Sequence, residues 1–137
     1  MRITFVLPFA GHTGGVRVVA TYARILHERG HRVTVVSLPY ERKMGRKEKL
    51  KSYFGIGKEA PPIPTTLLDF LGERHVRLEE ARPVLDSDVP DSDVIVATWW
   101  ETAHWVSKLS SEKGIKFYLI QGYEVFPHLP AERVIET

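Results

Sequence analysis

Trp99-Trp100-Glu101-Thr102 is the string in this chain best suited to grip a polyhydroxylated ring. Indole faces stack on sugar rings, and a carboxylate accepts hydrogen bonds from hydroxyls. One indole is expected to fill the core beneath the following helix and the other to stand near the site. Gln121-Gly122-Tyr123-Glu124 is a second such string, with Gly122 permitting a sharp turn and Gln121 and Glu124 offering polar side chains. Gly14-Gly15 opens a helical stretch. Free N–H groups at a helix start attract phosphate, and glycine lets the backbone reach positive φ and approach a ligand closely. A tight turn is the plainer reading of the same two glycines.

Other motifs lose their chemistry on inspection. Neither G-x-G-x-x-G nor G-x-x-x-x-G-K-[ST] is present, and the second apolar run ends Ser37-Leu38-Pro39, with no acid for a ribose. That counts against a dinucleotide dehydrogenase and a Walker-type ATPase. His27-Glu28-Arg29-Gly30-His31 matches H-E-x-x-H. Gly30 is a natural helix stop, which leaves His31 off the helix face that zinc would need. Asp86-Ser87-Asp88 and Asp91-Ser92-Asp93 each spell D-x-D. Clustered carboxylates suit hard cations, but these lead into the start of a strand, the wrong rim for a ligand. No metal site is expected.

Placing these residues requires the elements between them. Ile3–Leu7 and Val33–Leu38 read as strands buried on both faces. Between them Val16, Val19, Ala20, Ala23 and Leu26 recur at helical spacing, closed by Gly30. Strands follow at Val76–Glu79 (weak), Val94–Thr98 and Lys116–Gln121. Helices are expected over Lys47–Phe54, Glu101–Leu109 and from Ala131. Leu67–Leu71 is ambiguous between helix and strand. Alternating strand and helix predicts an α/β fold, a Rossmann-like three-layer arrangement with a mostly parallel sheet. Ligands then bind beyond the carboxyl ends of the strands. Pro8–Gly15, Trp99–Thr102 and Gln121–Glu124 should share that rim, provided the sheet is parallel.

The chain has 137 residues, 43% hydrophobic and 26% charged, which is one globular domain's worth. Its formal net charge of +2 gives no electrostatic case for a nucleic-acid partner. With no cysteine, disulfides, thiolate zinc sites and a cysteine nucleophile are excluded. The apolar start carries only Arg2 and contains Pro8, so it reads as a buried strand and not as a signal peptide. From Glu41 to Lys51 six basic residues face two acidic ones. Arg42, Lys43, Arg46, Lys47, Lys49 and Lys51 are candidates for peripheral contact with an anionic membrane, beside the plainer reading of a solvated loop.

Taken together, "MRITFVLPFAGHTGGVRVVATYARILHERGHRVTVVS", "DVIVATWWETAHWV" and "KFYLIQGYEVF" resemble the amino-terminal lobe of family 4 glycosyltransferases. The likeness covers most of the chain except Tyr40–Leu85. It implies a GT-B enzyme of two Rossmann-like lobes that transfers a sugar, with retention, from a nucleoside-diphosphate sugar to a glycan, lipid or small acceptor, as in polysaccharide biosynthesis. Gly14 and Gly15 would approach the donor diphosphate. Trp99, Trp100, Glu101, Thr102, Gln121, Tyr123 and Glu124 would line the acceptor side. No catalytic residue is assigned: where many members carry a histidine, this chain has Gln121. The nucleotide sugar is a substrate, and neither cofactor nor metal is implied. The chain reads as a truncated lobe of a cytoplasmic protein, inactive alone, with the donor lobe and its E-x7-E signature expected later. The alternatives are a GT-B nucleotide-sugar 2-epimerase lobe and a non-catalytic α/β binding module.

Overall fold

The computed structural model describes residues 1–39, 65–122 and 129–137. Along the chain run β1 (Arg2–Leu7), α1 (Gly14–Glu28), β2 (Arg32–Ser37), β3 (His75–Arg77), β4 (Val94–Ala97), α2 (Trp100–Ser107), β5 (Ile115–Tyr118) and α3 (Ala131–Ile135). The strands form one sheet in the order β3-β2-β1-β4-β5. Every pairing is parallel, including that of the short third strand. This is an α/β, Rossmann-like fold, and the common direction of the strands gives the sheet a single carboxyl rim.

The sequence explains the layers. Residues of β1 alternate between two cores, as a pleated strand must. Ile3, Phe5 and Leu7 join Val33, Val35 and the Val16, Val19, Ala23 stripe of α1 on one face. On the other, Val6 and Val36 join Ile95, Ala97 and Val106 of α2. Each such valine or leucine contributes roughly 1.5–3 kcal/mol through burial. Thr13 caps α1, its Oγ1 accepting from the N–H of Val16 at 3.4 Å. At the far end Gly30 takes φ +84°. The N–H of Gly30 donates to His27 O and that of His31 to Leu26 O, a Schellman ending that needs a residue at ease in the left-handed region. Gly30 is the helix stop that the sequence indicated, and His31 lies beyond the helix.

Several boundaries differ from expectation. The third strand is His75–Arg77, not Val76–Glu79, and the fifth ends at Tyr118, so Gln121 stands past the strand. The ambiguous Leu67–Leu71 stretch leads into 3-10 turns over Asp69–Arg74. Asp69 starts them by accepting from the N–H and the hydroxyl of Thr66 at 3.0 and 2.8 Å. The helix expected over Lys47–Phe54 lies outside the described residues. β5 is an edge strand covered on one face only. Lys116 reaches across to donate to the Ser107 and Leu109 carbonyls at the end of α2, while Ile115 and Phe117 are exposed on the opposite face. Among the described residues no helix is long and apolar enough to cross a membrane.

Candidate functional site

The sheet order reverses between β1 and β4: β2 and β3 are added on one side of β1, β4 and β5 on the other. A crevice opens at that switch point because the adjoining connections leave in opposite directions. A cavity of about 310 Å³ occupies it. Leu7, Pro8 and Phe9 wall it where β1 ends, and Thr13, Gly15 and Val16 where α1 begins. Thr98, Trp99 and Gln121 close the far side. All three rim segments therefore contribute to one cavity.

The start of α1 supplies the polar end. First-turn N–H groups have no partner within the helix, so those of Gly14 and Gly15 point toward the rim with the positive end of the helix dipole. The physical reason for the glycines differs from the expectation. Neither has positive φ; among the described residues Gly30, Gly72 and Gly114 do. A Cβ on Gly14 would meet nothing within 4 Å. One on Gly15 would stand 3.4 Å from Oε1 of Gln121 and 3.7 Å from its Nε2. Gly15 is thus the close-approach position, with the Gln121 carboxamide already against it.

The four-residue string after β4 divides into different roles. Trp99 lines the cavity. Trp100 is buried, edge-on to His104 with ring centroids 6.0 Å apart and with the Arg133 guanidinium 5.3 Å from its ring. Thr102, expected on the acceptor side, is fully buried beneath the turn. Its Oγ1 accepts from the N–H groups of Thr98 and Trp99, both at 2.9 Å, and donates to Trp99 O at 2.7 Å. It fastens the turn that presents Trp99. Leaving those donors unmet would cost about 1–3 kcal/mol each. Glu101 sits in the first turn of α2, partly exposed, outside the cavity wall. Tyr123, Glu124 and the six basic residues Arg42, Lys43, Arg46, Lys47, Lys49 and Lys51 lie outside the described residues.

Thr13 and Thr98 are among the wall residues not named as site candidates from the sequence. Thr13 was legible, because threonine directly before a glycine pair and an apolar helical stripe is an N-cap signature. Thr98 was not. It is buried and donates through Oγ1 to Val6 O at 2.8 Å, tying the β4 exit to β1. Outside the wall, His12 of the glycine turn contacts Thr65 O through Nε2 at 3.0 Å. Among the described residues, the nine that form the wall carry no ionisable side chain; they are suited to binding, orienting and excluding water.

The acidic and histidine motifs are occupied elsewhere. Asp88 pairs with Arg82 at 2.6 Å, Asp91 with Lys113 at 2.8 Å and Asp93 with Arg2 at 3.0 Å. Asp86 accepts from the N–H of Ser110 at 3.0 Å. These bonds hold the Asp86, Asp88 and Asp93 carboxyls below their usual range, with Asp88 answering chiefly to Arg82 and Asp93 to the N–H of Arg2. All belong to segments leading into the amino rim. His27 packs against Phe70 with centroids 6.3 Å apart.

A titratable ring does stand where β2 meets β3. His75 Nε2 lies 3.0 Å from Oγ of the fully buried Ser37. The His75 pKa is lowered from 6.5 to about 4, chiefly by burial and also by the nearby Arg77 charge, with Asp69 opposing. The folded protein thus holds the ring neutral while the unfolded chain takes up a proton at about 6.5. Stability is complete above that pH and declines as pH falls from 6.5 toward 4. His75→Gln should remove the decline. In urea unfolding at pH 7 and pH 5, wild type should lose on the order of 1 kcal/mol more than the variant, after discounting for solvent screening of a partly exposed ring. Equal losses in the two proteins would disprove the linkage.

The all-parallel sheet, its strand order and a cavity at the switch point define the chain as a Rossmann-like α/β protein. No protein-family model, curated protein or solved structure matches it.

Proposed function

We propose that this chain is the acceptor-side lobe of a retaining GT-B glycosyltransferase that uses a nucleoside-diphosphate sugar. One observation carries the reading: at the β1/β4 switch point the first turn of α1, the Trp99 indole and the Gln121 carboxamide meet around a single cavity of about 310 Å³. Each part suits a different portion of such a substrate pair. The N–H groups at Gly14 and Gly15 would hold the departing diphosphate, whose developing charge is what a pre-oriented dipole stabilises best. The Trp99 face would pack against a sugar ring. Gln121 can donate and accept at once and would fix a hydroxyl or a phosphate oxygen. The likeness of the Gly-Gly, Trp-Trp-Glu-Thr and Gln-Gly-Tyr-Glu segments to the glycosyltransferase lobe supports the same assignment.

A second reading is a non-catalytic binding module built on the same cavity, whose described wall residues are suited to binding and carry no ionisable side chain. The test separates the two. Full-length protein is incubated with UDP-, GDP- and ADP-sugars, with and without glycan and lipid acceptors, and the products are analysed. Sugar transfer that needs an acceptor supports the proposal. Nucleotide binding without turnover assigns the chain to the module. Epimerisation of the donor with no acceptor present would refute transfer and indicate a 2-epimerase.

A further inference from the structure

A second cavity, of about 380 Å³, lies at the opposite rim of the sheet, among the amino ends of β1, β2 and β4. The residues that make it break two rules of parallel sheets. Both faces of such a sheet are ordinarily apolar, yet here one face begins polar. β1 places Arg2, Thr4 and Val6 on this face, and β2 places Arg32, Thr34 and Val36 directly opposite, residue for residue. The valine row packs into the α2-side core, and the threonine row beside it is buried but hydroxylic. Like charges opposed across adjacent strands are also destabilising, and Arg2 is in register with Arg32. Lys113 adds a third cation to the same cavity.

The surrounding groups say what would relieve this. Arg2 is engaged by Asp93, and Lys113, largely buried, by Asp91. Among the described residues no ion pair holds Arg32. Thr34 is only 8% exposed and lines the cavity, and no hydrogen bond holds its hydroxyl among the described residues. Thr4 and Ser92, also buried, share a hydrogen bond of 2.6 Å on the same floor, and Ser92 Oγ donates onward to Pro90 O at 3.0 Å. The floor is therefore hydroxylic and the rim cationic. An oxyanion is the chemistry that takes up an unpaired guanidinium, an open hydroxyl and an ammonium together.

We propose that this amino-rim cavity is a second ligand site, and that it takes the phosphate group of a small molecule. Arg32 and Thr34 are its principal contacts. Lys113 is shared with Asp91, whose side chain is 57% exposed and free to turn toward solvent when the anion enters. The site is independent of the switch-point cavity and of any sugar transfer there.

The test is a titration of the isotopically labelled chain with inorganic phosphate, and in parallel with glycerol 3-phosphate, followed through backbone amide resonances. Shifts should concentrate at Arg2–Thr4, Arg32–Thr34 and Asp91–Lys113 and saturate below about 20 mM. Tighter binding of the ester would indicate a phosphorylated metabolite, and equal binding the free ion. Arg32→Gln should weaken binding about 10-fold or more while melting no lower than wild type, because it removes a like-charge opposition. Asp91→Asn should tighten binding about 3-fold by freeing Lys113. No saturable shift, shifts confined to Gly14–Val16, or an unchanged affinity in Arg32→Gln would each overturn the proposal.

Discussion

Gly114→Ala should destabilise the fold by about 3–5 kcal/mol, and should do so without touching the switch-point cavity. Gly114 has φ +106° and ψ 177°, a region open essentially to glycine alone, and a side chain there costs about 1–3 kcal/mol from backbone strain. Space is also lacking. A Cβ would lie 2.8 Å from the Val94 nitrogen and 2.9 Å from both the Asp93 carbonyl carbon and Ser92 O. All three are backbone atoms, so no rotamer change relieves the contact. The glycine sits one residue before β5, where Ile115 N donates to Asp93 O, and displacement there pulls β5 from β4. A fall in melting temperature of about 10–15 °C is the corresponding thermal effect. A fall of a degree or two would mean that the turn relaxes freely and that the close packing described here is wrong.

On the proposed function, Gly15→Val should lower sugar transfer, and affinity of the chain for nucleoside diphosphates, about 100-fold. The branched side chain would enter the space held by the Gln121 carboxamide, 3.4 Å from where its Cβ must stand. It would also screen the first-turn N–H groups from a diphosphate. Gly14→Ala is the matched control. Its Cβ projects into open space, and alanine favours a helix over glycine by up to about 1 kcal/mol, so binding should hold and stability should not fall. Full activity in Gly15→Val would remove the phosphate role from α1. Equal damage from both substitutions would show that the helix start is sensitive as a whole and that Gln121 is incidental.

The contrast between the two glycines marks how far the sequence could be read. Gly14-Gly15 was legible as a helix start near a ligand rim, but the reason that Gly15 matters depends on Gln121, a residue 106 positions later whose place only the sheet order decides. β1, β2 and β4 were legible because they are interior strands, and apolar runs are what interior strands require. β3 and β5 are edges. Their half-buried or exposed residues carry little pattern, and both were displaced from their expected bounds. Trp99 and Trp100 are chemically identical, so composition cannot say which is core; the turn set by Thr102 decides. Thr102 itself looked like a hydroxyl offered to a ligand, yet its oxygen is consumed by backbone groups. The amino-rim cavity left no recognisable motif, because Arg2 and Arg32 become neighbours only through strand register.

The order of the strands also governs which backbone amides meet solvent first. β1 has a six-residue ladder to β2 on one side and a four-residue ladder to β4 on the other, whereas β3 is held by three pairs along a single edge. Opening events in such a sheet run inward from the rims, so deuterium should enter β3 and β5 early and Ile3–Leu7 last. The switch-point cavity straddles that gradient. Leu7 and Thr98 adjoin the strands expected to exchange last, whereas Gln121 follows an edge strand expected to open early. The cavity should therefore have one wall that opens late and one that opens early, and a ligand bridging the two should slow exchange most at β5, far from its own strongest contacts.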